Sequence, residues 1–321
     1  MHSAMRRGLL ALALLAGAAP AVAEPFPAKP ITLVVPQGPG SGSDVTARLV
    51  ANYLGPVLGQ TVVVDNRAGG SGIVAHQAVA RAAPDGYTLL FTSTAQLLVV
   101  PLINPAAKYT MGDFTAVAPI LRAPFAVVVA NEPGAPKSFN ELLQRLRAGP
   151  QSYASAGIGT MTHLGSELWM RKAGVSASHI PYKGSGQALT DLMGGQTLFA
   201  TDSLTAEMTH IRSGKLRALA IADAQRKPSL PDVPTFDEAG LPGVQVAVIG
   251  GLFAPKGVPQ DVAGRIASAM TKVLAMPEVQ QRFAAMESEP LTMPADEFVK
   301  LLGKEAAVWA PLVRDLGVKV E

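Results

Sequence analysis

Apolar runs of strand length alternate with stretches of helical spacing along the first part of the chain. Ile31–Val35 is a continuous, largely β-branched run. Val45, Leu49 and Tyr53 then recur on one face of a predicted helix near Asp44–Leu54. The next predicted elements are a strand at Thr61–Val64, a small-residue helix at Ile73–Ala82 and a strand at Thr88–Thr92. This alternation predicts a parallel sheet with helices on its faces.

A second series of elements begins after Pro124. Ser138-Phe139-Asn140-Glu141 has the form of a capping box, so a helix is predicted to begin there and run to Arg147. The predicted strands of this series are Phe125–Ala130, Ser152–Ser155, His179–Pro181, Leu198–Thr201 and Leu216–Ile221. The other predicted helices lie between them, from the Ala156–Gly165 segment to about Lys172, near Gly186–Met193 and near Ser203–Arg212.

The last third of the chain is predicted to be mainly helical. It opens with Val244–Phe253, an apolar run long enough to cross between two domains. The predicted helices that follow are Asp261–Met276, Glu278–Met286 and Ala295–Leu316. Pro311 is expected to kink or end the last of them, because proline lacks the N–H that continues the helical hydrogen-bond ladder.

The N-terminus has the form of a secretory signal. Arg6 and Arg7 precede the apolar run Gly8–Ala19, and Ala21-Val22-Ala23 fits a signal-peptidase site. The apolar run is too short for a membrane anchor, which needs ~20 residues. We therefore expect residues 1–23 to be a signal peptide that is cleaved after Ala23, and the mature protein to be periplasmic.

Composition narrows the possible functions. The chain has 321 residues and no cysteine, so it has neither thiol chemistry nor thiolate metal sites, and after cleavage its length suits about two domains. Its formal net charge is only +3 and no basic cluster stands out, so nucleic acid is not an expected partner. The sequence has no G-x-S-x-G or H-E-x-x-H motif. We expect no catalytic residues, no metal site and no cofactor.

The turn after the first strand, Gly38–Asp44, holds three glycines in front of a predicted helix. It lacks the Lys-Ser/Thr of a P-loop. Gly38 and Gly40 fit a dinucleotide fingerprint but Ser43 takes the place of its third glycine, and free dinucleotide is scarce outside the cytoplasm. The turn is therefore interpreted as a backbone nest for a small anion, aided by the helix dipole. The alternative is a plain turn in which Ser43 or Asp44 caps the helix.

The segment Ser155–His163 repeats this arrangement in the second series. Gly157 and Gly159 allow close approach of a ligand, and Thr160 adds a hydroxyl. Two such turns on two domains can close on one ligand from opposite sides. His163 is either a donor to a carboxylate or a residue that packs or caps within the first helical turn.

Three polar residues follow predicted strands farther along. Tyr182 offers a hydroxyl and a flat ring, and Lys183 can pair either with a ligand carboxylate or with a solvated acid. Asp202 either accepts from a ligand amine or hydroxyl, or caps the helix that follows.

Several segments together resemble one family. They are "KPITLVVPQGPGSGSDVTARLVA", "GQTVVVDNRAGGSGIVAHQAVARAAPDGYTLLF", "YASAGIGTMTHLGSEL", "HIPYKGSGQALTDLMGGQ", "GKLRALAI" and "LPDVPTFDEAGLPG". They cover the mature chain in order, and the chain resembles the Bug, or TctC-type, extracytoplasmic solute-binding proteins of tripartite tricarboxylate transporters.

The resemblance implies an α/β, two-lobed, Venus-flytrap fold of the periplasmic-binding-protein class, type II-like, with the ligand in the interlobe cleft. Lobe 1 would comprise residues 24–124 plus 249–321, and lobe 2 residues 125–248. The ligand would be a small organic acid, the partners membrane transporter subunits, and the protein a monomer. The implied contacts are Gly40, Ser41, Gly42, Ser43, Asp44, Ser93, Thr94, Ala156, Gly157, Ile158, Gly159, Thr160, His163, Tyr182 and Asp202.

The chain also departs from the family pattern. Ser41 brings a hydroxyl into the first turn, Gly55-Pro56 interrupts the end of a helix, and Leu97 and Val100 make one cleft wall more apolar. Ile249-Gly250 stands where relatives commonly have an aromatic pair. We therefore expect a larger cleft at Gly250, suited to an acid with a hydrophobic body, unless a side chain such as Met161 or Phe253 fills the gap.

These observations predict a binding protein that captures a small carboxylate and delivers it to a transporter. The alternative is an orphan sensor component that presents its ligand to a membrane receptor. An exported hydrolase is disfavoured by the missing nucleophile and metal motifs.

Overall fold

The computed structural model describes residues 26–39 and 41–319, so the predicted signal peptide and Gly40 lie outside the described residues. The strands are β1 (Ile31–Val35), β2 (Val62–Asn66), β3 (Thr88–Ser93), β4 (Phe114–Ala130), β5 (Ser152–Ser155), β6 (Ser178–Pro181), β7 (Phe199–Ser203), β8 (Leu216–Ile221), β9 (Ala247–Pro255) and β10 (Glu289–Pro290). The helices are α1 (Gly42–Leu58), α2 (Ile73–Ala80), α3 (Val100–Ile103), α4 (Phe139–Ala148), α5 (Met161–Ala173), α6 (Ser185–Met193), α7 (Leu204–Arg212), α8 (Gln260–Leu274), α9 (Pro277–Ala285) and α10 (Ala295–Leu316). Short helical turns occur at Gly70–Gly72, Ala95–Val99 and Met111–Asp113.

All the strands belong to one mixed sheet, whose main path runs β2-β1-β3-β9-β4-β7-β5-β6. β1 pairs in parallel with β2 and β3, and β5 pairs in parallel with β6 and β7. The pairings that involve β9 and β4 are antiparallel. The prediction of a parallel sheet is therefore right within each outer group of strands and wrong at the centre.

Strand β4 joins the two parts of the sheet. Its residues Phe114–Pro124 pair with β9, and its residues Phe125–Ala130 pair with β7 and β8. The sequence predicted only the second part, Phe125–Ala130, with Pro124 as the boundary between the two series of elements. A proline removes one N–H from a ladder and is tolerated next to an irregularity, and the β4–β9 register does shift between Pro119 and Leu121.

Helices cover both faces of each part of the sheet. In the first part, α1, α8 and α9 bury residues such as Leu54 and Ile266 on one face, and α2 and α10 cover the other. In the second part, α4 and α5 pack Phe139 and Trp169 on one face, and α6 packs Leu189 on the other. Among the described residues, no helix combines the length and the apolar character needed to cross a membrane.

Helix α1 differs from its prediction in the face it buries. Val45 is 47% exposed, whereas Ala47, Val50 and Leu54 are fully buried. The buried stripe includes the small residues Ala47 and Ala51, whereas the predicted face consisted of the larger Val45, Leu49 and Tyr53. The helix also continues through Gly55 and Pro56 and ends in a left-handed glycine cap at Gly59, whose N–H donates to the Gly55 carbonyl.

The C-terminal helix α10 packs on both parts of the molecule. Phe298 and Leu302 are buried in a core of the first part, and Trp309 and Leu312 are buried in a core of the second. Pro311 lies inside the helix and does not end it, contrary to one reading of the sequence. Burial of the turn that contains Leu312 offsets the single hydrogen bond that proline removes.

Replacement of Gly251 in β9 tests the packing between the sheet and α10. An added Cβ would lie 2.5 Å from Phe298 and 3.0 Å from the Ala118 carbonyl oxygen, so Gly251→Ala should destabilise the protein by about 1–3 kcal/mol. The control is Gly264→Ala in α8, where a Cβ meets no heavy atom within 4 Å. Because alanine is a better helix former, that variant should gain up to about 1 kcal/mol. Urea unfolding measures both, and equal stabilities would contradict the packing.

Candidate functional site

The sheet register brings the carboxyl ends of strands from both parts to nearly one level. Ser93, the last residue of β3, pairs with Gly250, which also pairs with Leu121 of β4. Ser203, the last residue of β7, pairs with Phe125 of β4. Leu121 and Phe125 are four residues apart, roughly 13 Å along a strand. The loops that follow these strands therefore lie on either side of the point where β4 exchanges partners.

The first glycine-rich turn connects β1 to α1 at this level. Ser41 is the N-cap of α1, and its hydroxyl accepts the Asp44 N–H at 3.2 Å. A Cβ added at Gly38 or Gly42 would meet no heavy atom within 4 Å. The predicted contact Gly40 lies outside the described residues. The turn thus presents open space in front of the helix N-terminus, next to the hydroxyl-bearing residue Ser43.

Asp44 ties this turn to the sheet. The residue is only 3% exposed, and its carboxylate accepts from Arg48 Nε at 3.0 Å and from Asn66 Nδ2 at 2.9 Å. Asn66, at the end of β2, also donates to the Gln37 carbonyl at 2.9 Å. The carboxylate that the sequence placed among the ligand contacts is thus engaged in holding the turn.

A third glycine-rich turn, absent from the predicted site, lies between β2 and α2. Gly69, Gly70, Ser71 and Gly72 all have positive φ, from 55° to 133°. The Gln96 side chain, in the turn after β3, donates to the Ser71 carbonyl at 3.3 Å. A Cβ on Gly72 would lie 2.8 Å from Gln96 and 3.0 Å from Pro36, at the start of the first turn. The clustered glycines of "RAGGSG" are the sequence signal that could have revealed this contact.

Ser93 and Thr94 lie between β3 and the π-helical turn Ala95–Val99. The Ser93 hydroxyl accepts the Gln96 N–H at 3.5 Å, and Thr94 is 2% exposed. A π-type turn is uncommon and often occurs at functional sites. Here the π-helical turn contains Gln96, whose side chain contacts the third turn at Ser71.

The second glycine-rich turn, between β5 and α5, is held by side chains. Thr162 accepts the Ala156 N–H at 2.8 Å, and Ser155 accepts the Gly157 N–H at 3.1 Å. The Thr160 hydroxyl donates to the Gly157 carbonyl at 2.7 Å and caps α5. The amides of Ala156 and Gly157 are therefore already paired within the protein, in contrast to the open first turn.

Gly159 of the same turn meets the other part of the molecule. Its φ is +74°, and an added Cβ would lie 2.1 Å from Ile103 of α3. Both its backbone conformation and its contact with Ile103 require glycine. The neighbouring Ile158 is 49% exposed.

His163 lies in the first turn of α5 and is 6% exposed. Its Nδ1 accepts the Gly159 N–H at 3.1 Å, so the neutral ring carries its proton on Nε2. The ring stacks on His179, with centroids 4.0 Å apart, and Ser155 Oγ lies 2.6 Å from His179 Nε2. Burial lowers the pKa of His163 and of His179 to about 4. His163 thus packs within the protein and holds the second turn, which is one of the two roles predicted from the sequence; the other was donation to a ligand carboxylate.

Tyr182 and Lys183 follow β6. The Tyr182 side chain packs partly against the α6 core, and this burial, with a hydrogen bond to Asp191, raises the pKa of its hydroxyl. Its N–H donates to the Ser155 carbonyl at 3.0 Å, which joins the loop after β6 to the second turn. Lys183 is exposed.

Asp202 and Glu207 form a pair of buried acids at the end of β7. Asp202 is 4% exposed and accepts from the Ser203 N–H at 2.7 Å and from Ser185. Ser203 is the N-cap of α7, so Asp202 does not take the capping position suggested by the sequence. Burial raises the pKa of Asp202 to about 6, and burial together with the nearby Asp202 charge raises the pKa of Glu207 well above its usual range. Glu207 Oε1 accepts the Asp202 N–H at 3.1 Å.

The expected enlargement of the cleft at Gly250 is wrong. A Cβ on Gly250 would already lie 3.3 Å from both Leu121 and Phe91, so these side chains occupy the space of the missing aromatic pair. Leu97 and Val100 are 1% and 7% exposed and belong to the core beneath α2 and α10. They do not form an apolar cleft wall. Cross-strand neighbours, which the local sequence does not reveal, fill the gap.

An open depression of about 600 Å³ lies elsewhere on the second part of the sheet. Its lining includes Glu132, Arg145 and Gln151, close to the amino ends of β5 and β7. The three glycine-rich turns lie at carboxyl ends, so this depression is separate from the candidate site.

Comparison with known proteins identifies the family. Residues 46–318 match the tripartite tricarboxylate transporter family receptor, TctC. BugT of Bordetella pertussis is 36% identical over 308 residues, which are 95% of this chain and 94% of BugT. A Rhodopseudomonas palustris protein solved with adipate is 30% identical with a TM-score of 0.81, covering 92% of this chain and 99% of the other. MatC from the same species, solved with malate, is 31% identical with a TM-score of 0.77, covering 90% and 100%.

The chain belongs to the TctC family of tripartite tricarboxylate transporter receptors. Its fold is that of the two-lobed periplasmic solute-binding proteins. Members of this family are periplasmic binding proteins, and the structures it resembles are solute-binding proteins rather than enzymes. The fold and the family that the sequence indicated are confirmed.

Glu207 provides a test of the buried acid pair. Its raised pKa means that the folded state favours the protonated acid, so its stabilising contribution is present at low pH and is lost as pH rises above 4.5, its unfolded value. Glu207→Gln keeps an oxygen acceptor for the Asp202 N–H and stays neutral. The free energy of unfolding of the variant, minus that of wild type, should therefore increase from pH 4.5 toward about pH 8. Glu278→Gln, at an exposed acid of α9, is the control, and a flat difference for both variants would contradict the assignment.

Proposed function

We propose that this protein captures a small organic carboxylate between its two lobes and delivers it to the membrane subunits of a tripartite tricarboxylate transporter. The observation that carries the proposal is the pair of glycine-rich turns after β1 and β5, each of which leads into a helix N-terminus. Helix N-termini favour anions, because their first N–H groups have no partner within the helix and the helix dipole is positive there. The adipate and malate held by two relatives support a carboxylate ligand.

The proposed lobes are residues 24–124 plus 249–321 and residues 125–248. The exchange of β4 partners between Pro124 and Phe125 supports this division. The return crossing lies beside it, where the Phe125 N–H donates to the Val246 carbonyl at 3.0 Å. Two adjacent crossing strands suit a hinge, about which the lobes close on the ligand.

The predicted site residues divide into two proposed roles. Gly40, Ser41, Gly42 and Ser43 would approach the ligand directly from lobe 1. The other members of the predicted set would shape the cleft, several of them by holding a turn: Asp44, Ser93, Thr94, Ala156, Gly157, Gly159, Thr160, His163, Tyr182 and Asp202. Gly250, with its space filled, would have no contact of its own.

Export, a monomeric state and the absence of catalysis are further parts of the proposal. Arg6-Arg7, the apolar run and Ala21-Val22-Ala23 support cleavage after Ala23, so N-terminal sequencing of the periplasmic protein should begin at Glu24. Retention of Met1 in the soluble fraction would overturn this.

Gly42→Val tests ligand approach at the first turn. The protein around Gly42 leaves room for the side chain, so the variant should fold normally, while the added branch should exclude a ligand from the helix N-terminus. We expect native mass spectrometry of freshly purified wild type to reveal a bound acid, and titration calorimetry with adipate and malate to give at least a roughly tenfold weaker affinity for the variant, about 1.4 kcal/mol. Gly264→Val, in an equally open position of α8, is the matched control. If Gly42→Val binds with the affinity of wild type, the first turn only connects β1 to α1 and does not contact the ligand.

Lys183→Met tests whether side-chain charge matters. No arginine lies in the first or second turn, and Lys183 follows β6 at an exposed position. The variant should therefore weaken carboxylate binding by at most ~1–2 kcal/mol, the scale of one hydrogen bond to a charged group. Calorimetry with the acid found by mass spectrometry is the measurement. A loss of several orders of magnitude would make Lys183 a direct counter-ion.

A further inference from the structure

The second glycine-rich turn depends on two stacked imidazoles. His163 Nδ1 accepts the Gly159 N–H at 3.1 Å. His179 Nε2 lies 2.6 Å from Ser155 Oγ, and the same oxygen accepts the Gly157 N–H at 3.1 Å. Each imidazole thus holds one glycine of the turn, His163 directly and His179 through Ser155.

The role of His163 requires a neutral ring. A second proton can only go to Nδ1, since an acceptor for the Gly159 N–H has no proton of its own and Nε2 carries the one that is present. Protonation would turn Nδ1 into a donor that faces another donor 3.1 Å away. The hydrogen bond that holds Gly159 would be lost and replaced by repulsion.

The surroundings of the pair do not accommodate a charge. The planes of the two rings are nearly parallel, at an angle of 4°, and their centroids are 4.0 Å apart. A charge on one ring therefore lies against the face of the other. Tyr153 of β5 stacks on His179 at 5.0 Å, and its hydroxyl donates to Glu167 of α5 at 2.7 Å. Within residues 26–39 and 41–319, no carboxylate forms an ion pair with either ring.

The charged groups Arg171, Asp315 and Asp202, on α5 and on elements that pack against it, have partners of their own. Arg171 of α5 pairs with Asp315 of α10 near the far end of the helix, at 3.4 Å. On β7, the buried Asp202 is held by Ser185 and Ser203. Burial lowers the pKa of both histidines, and for His179 the neighbouring His163 adds to this effect.

We propose that His163, stacked on His179, is a positioning residue that keeps the second turn in its binding form only while its ring is neutral, so that acidification loosens this wall of the cleft. The proposal rests on the proposed function, since the part of the turn in ligand capture is itself proposed. Under this proposal, carboxylate affinity decreases as the pH falls because the protein itself changes. This effect adds to any effect of protonating the ligand.

The test follows the amide signal of Gly159 by NMR in the ligand-free protein, from about pH 7 to about pH 4. In wild type, protection of Gly159 from hydrogen exchange should decrease at the acid end, while Val34 of β1 stays protected and reports global folding. His163→Asn supplies an amide oxygen as an acceptor that does not titrate, so Gly159 should stay protected throughout. His163→Leu removes the acceptor, and Gly159 should be unprotected already at about pH 7. His210→Asn, at the end of α7, is the control for loss of a histidine and should behave as wild type.

Protection of Gly159 in wild type at about pH 4, or its loss in His163→Asn at the same pH as in wild type, would overturn the proposal. In a second arm, adipate affinity is measured for wild type and His163→Asn at about pH 7 and about pH 4. The ratio of the two affinities should shift about twofold in favour of the variant at the lower pH, where about half of the His163 rings carry a second proton, since protonation of adipate affects both proteins equally. A ratio that does not change with pH counts against the link to binding. If neither protein binds adipate at about pH 7, the choice of ligand class fails, and the amide signals still decide the present proposal.

Discussion

One long strand determines how the two parts of this molecule are arranged. β4 exchanges its partners at a single residue, where the Phe125 N–H donates to the Val246 carbonyl and the Phe125 carbonyl accepts the Ala222 N–H at 2.8 Å. Because β4 and β9 are antiparallel, the parallel strands on either side end at this point rather than at opposite poles of the sheet. Every loop of the candidate site depends on that geometry.

The elements that the sequence predicted well are those whose pattern is local. β1, β5 and β8 and the helix Ala295–Leu316 have the predicted bounds. β1 and β8 are short, largely apolar runs, and the helix is an amphipathic stretch with clear ends. The first part of β4 was missed since its prolines resemble breakers, and its stability comes from β9, more than 100 residues away in the chain. The filled space at Gly250 is of the same kind, because Phe91 and Leu121 reach it from neighbouring strands.

The glycine-rich turns could be located from the sequence, but their differences could not. The first turn has open space in front of its helix, and a hydrogen bond between the side chains of Asn66 and Asp44 holds it to β2. The second has its amides paired with hydroxyl and imidazole groups, and Gly159 meets Ile103 of the other part. A glycine in the sequence indicates that a side chain is excluded, and only the fold shows whether a ligand, a backbone conformation or another side chain excludes it.

Helix α10 has a consequence for the order in which the chain folds. Phe298 and Leu302 complete one core, and Trp309 and Leu312 complete another, so both cores remain open until α10 is available. Contacts between distant parts of a sequence also slow folding, because a long loop must be closed before they form. A nascent chain of this protein therefore stays without its complete cores during synthesis. Such a delay would suit the proposed export, in which the chain crosses a membrane before it becomes compact.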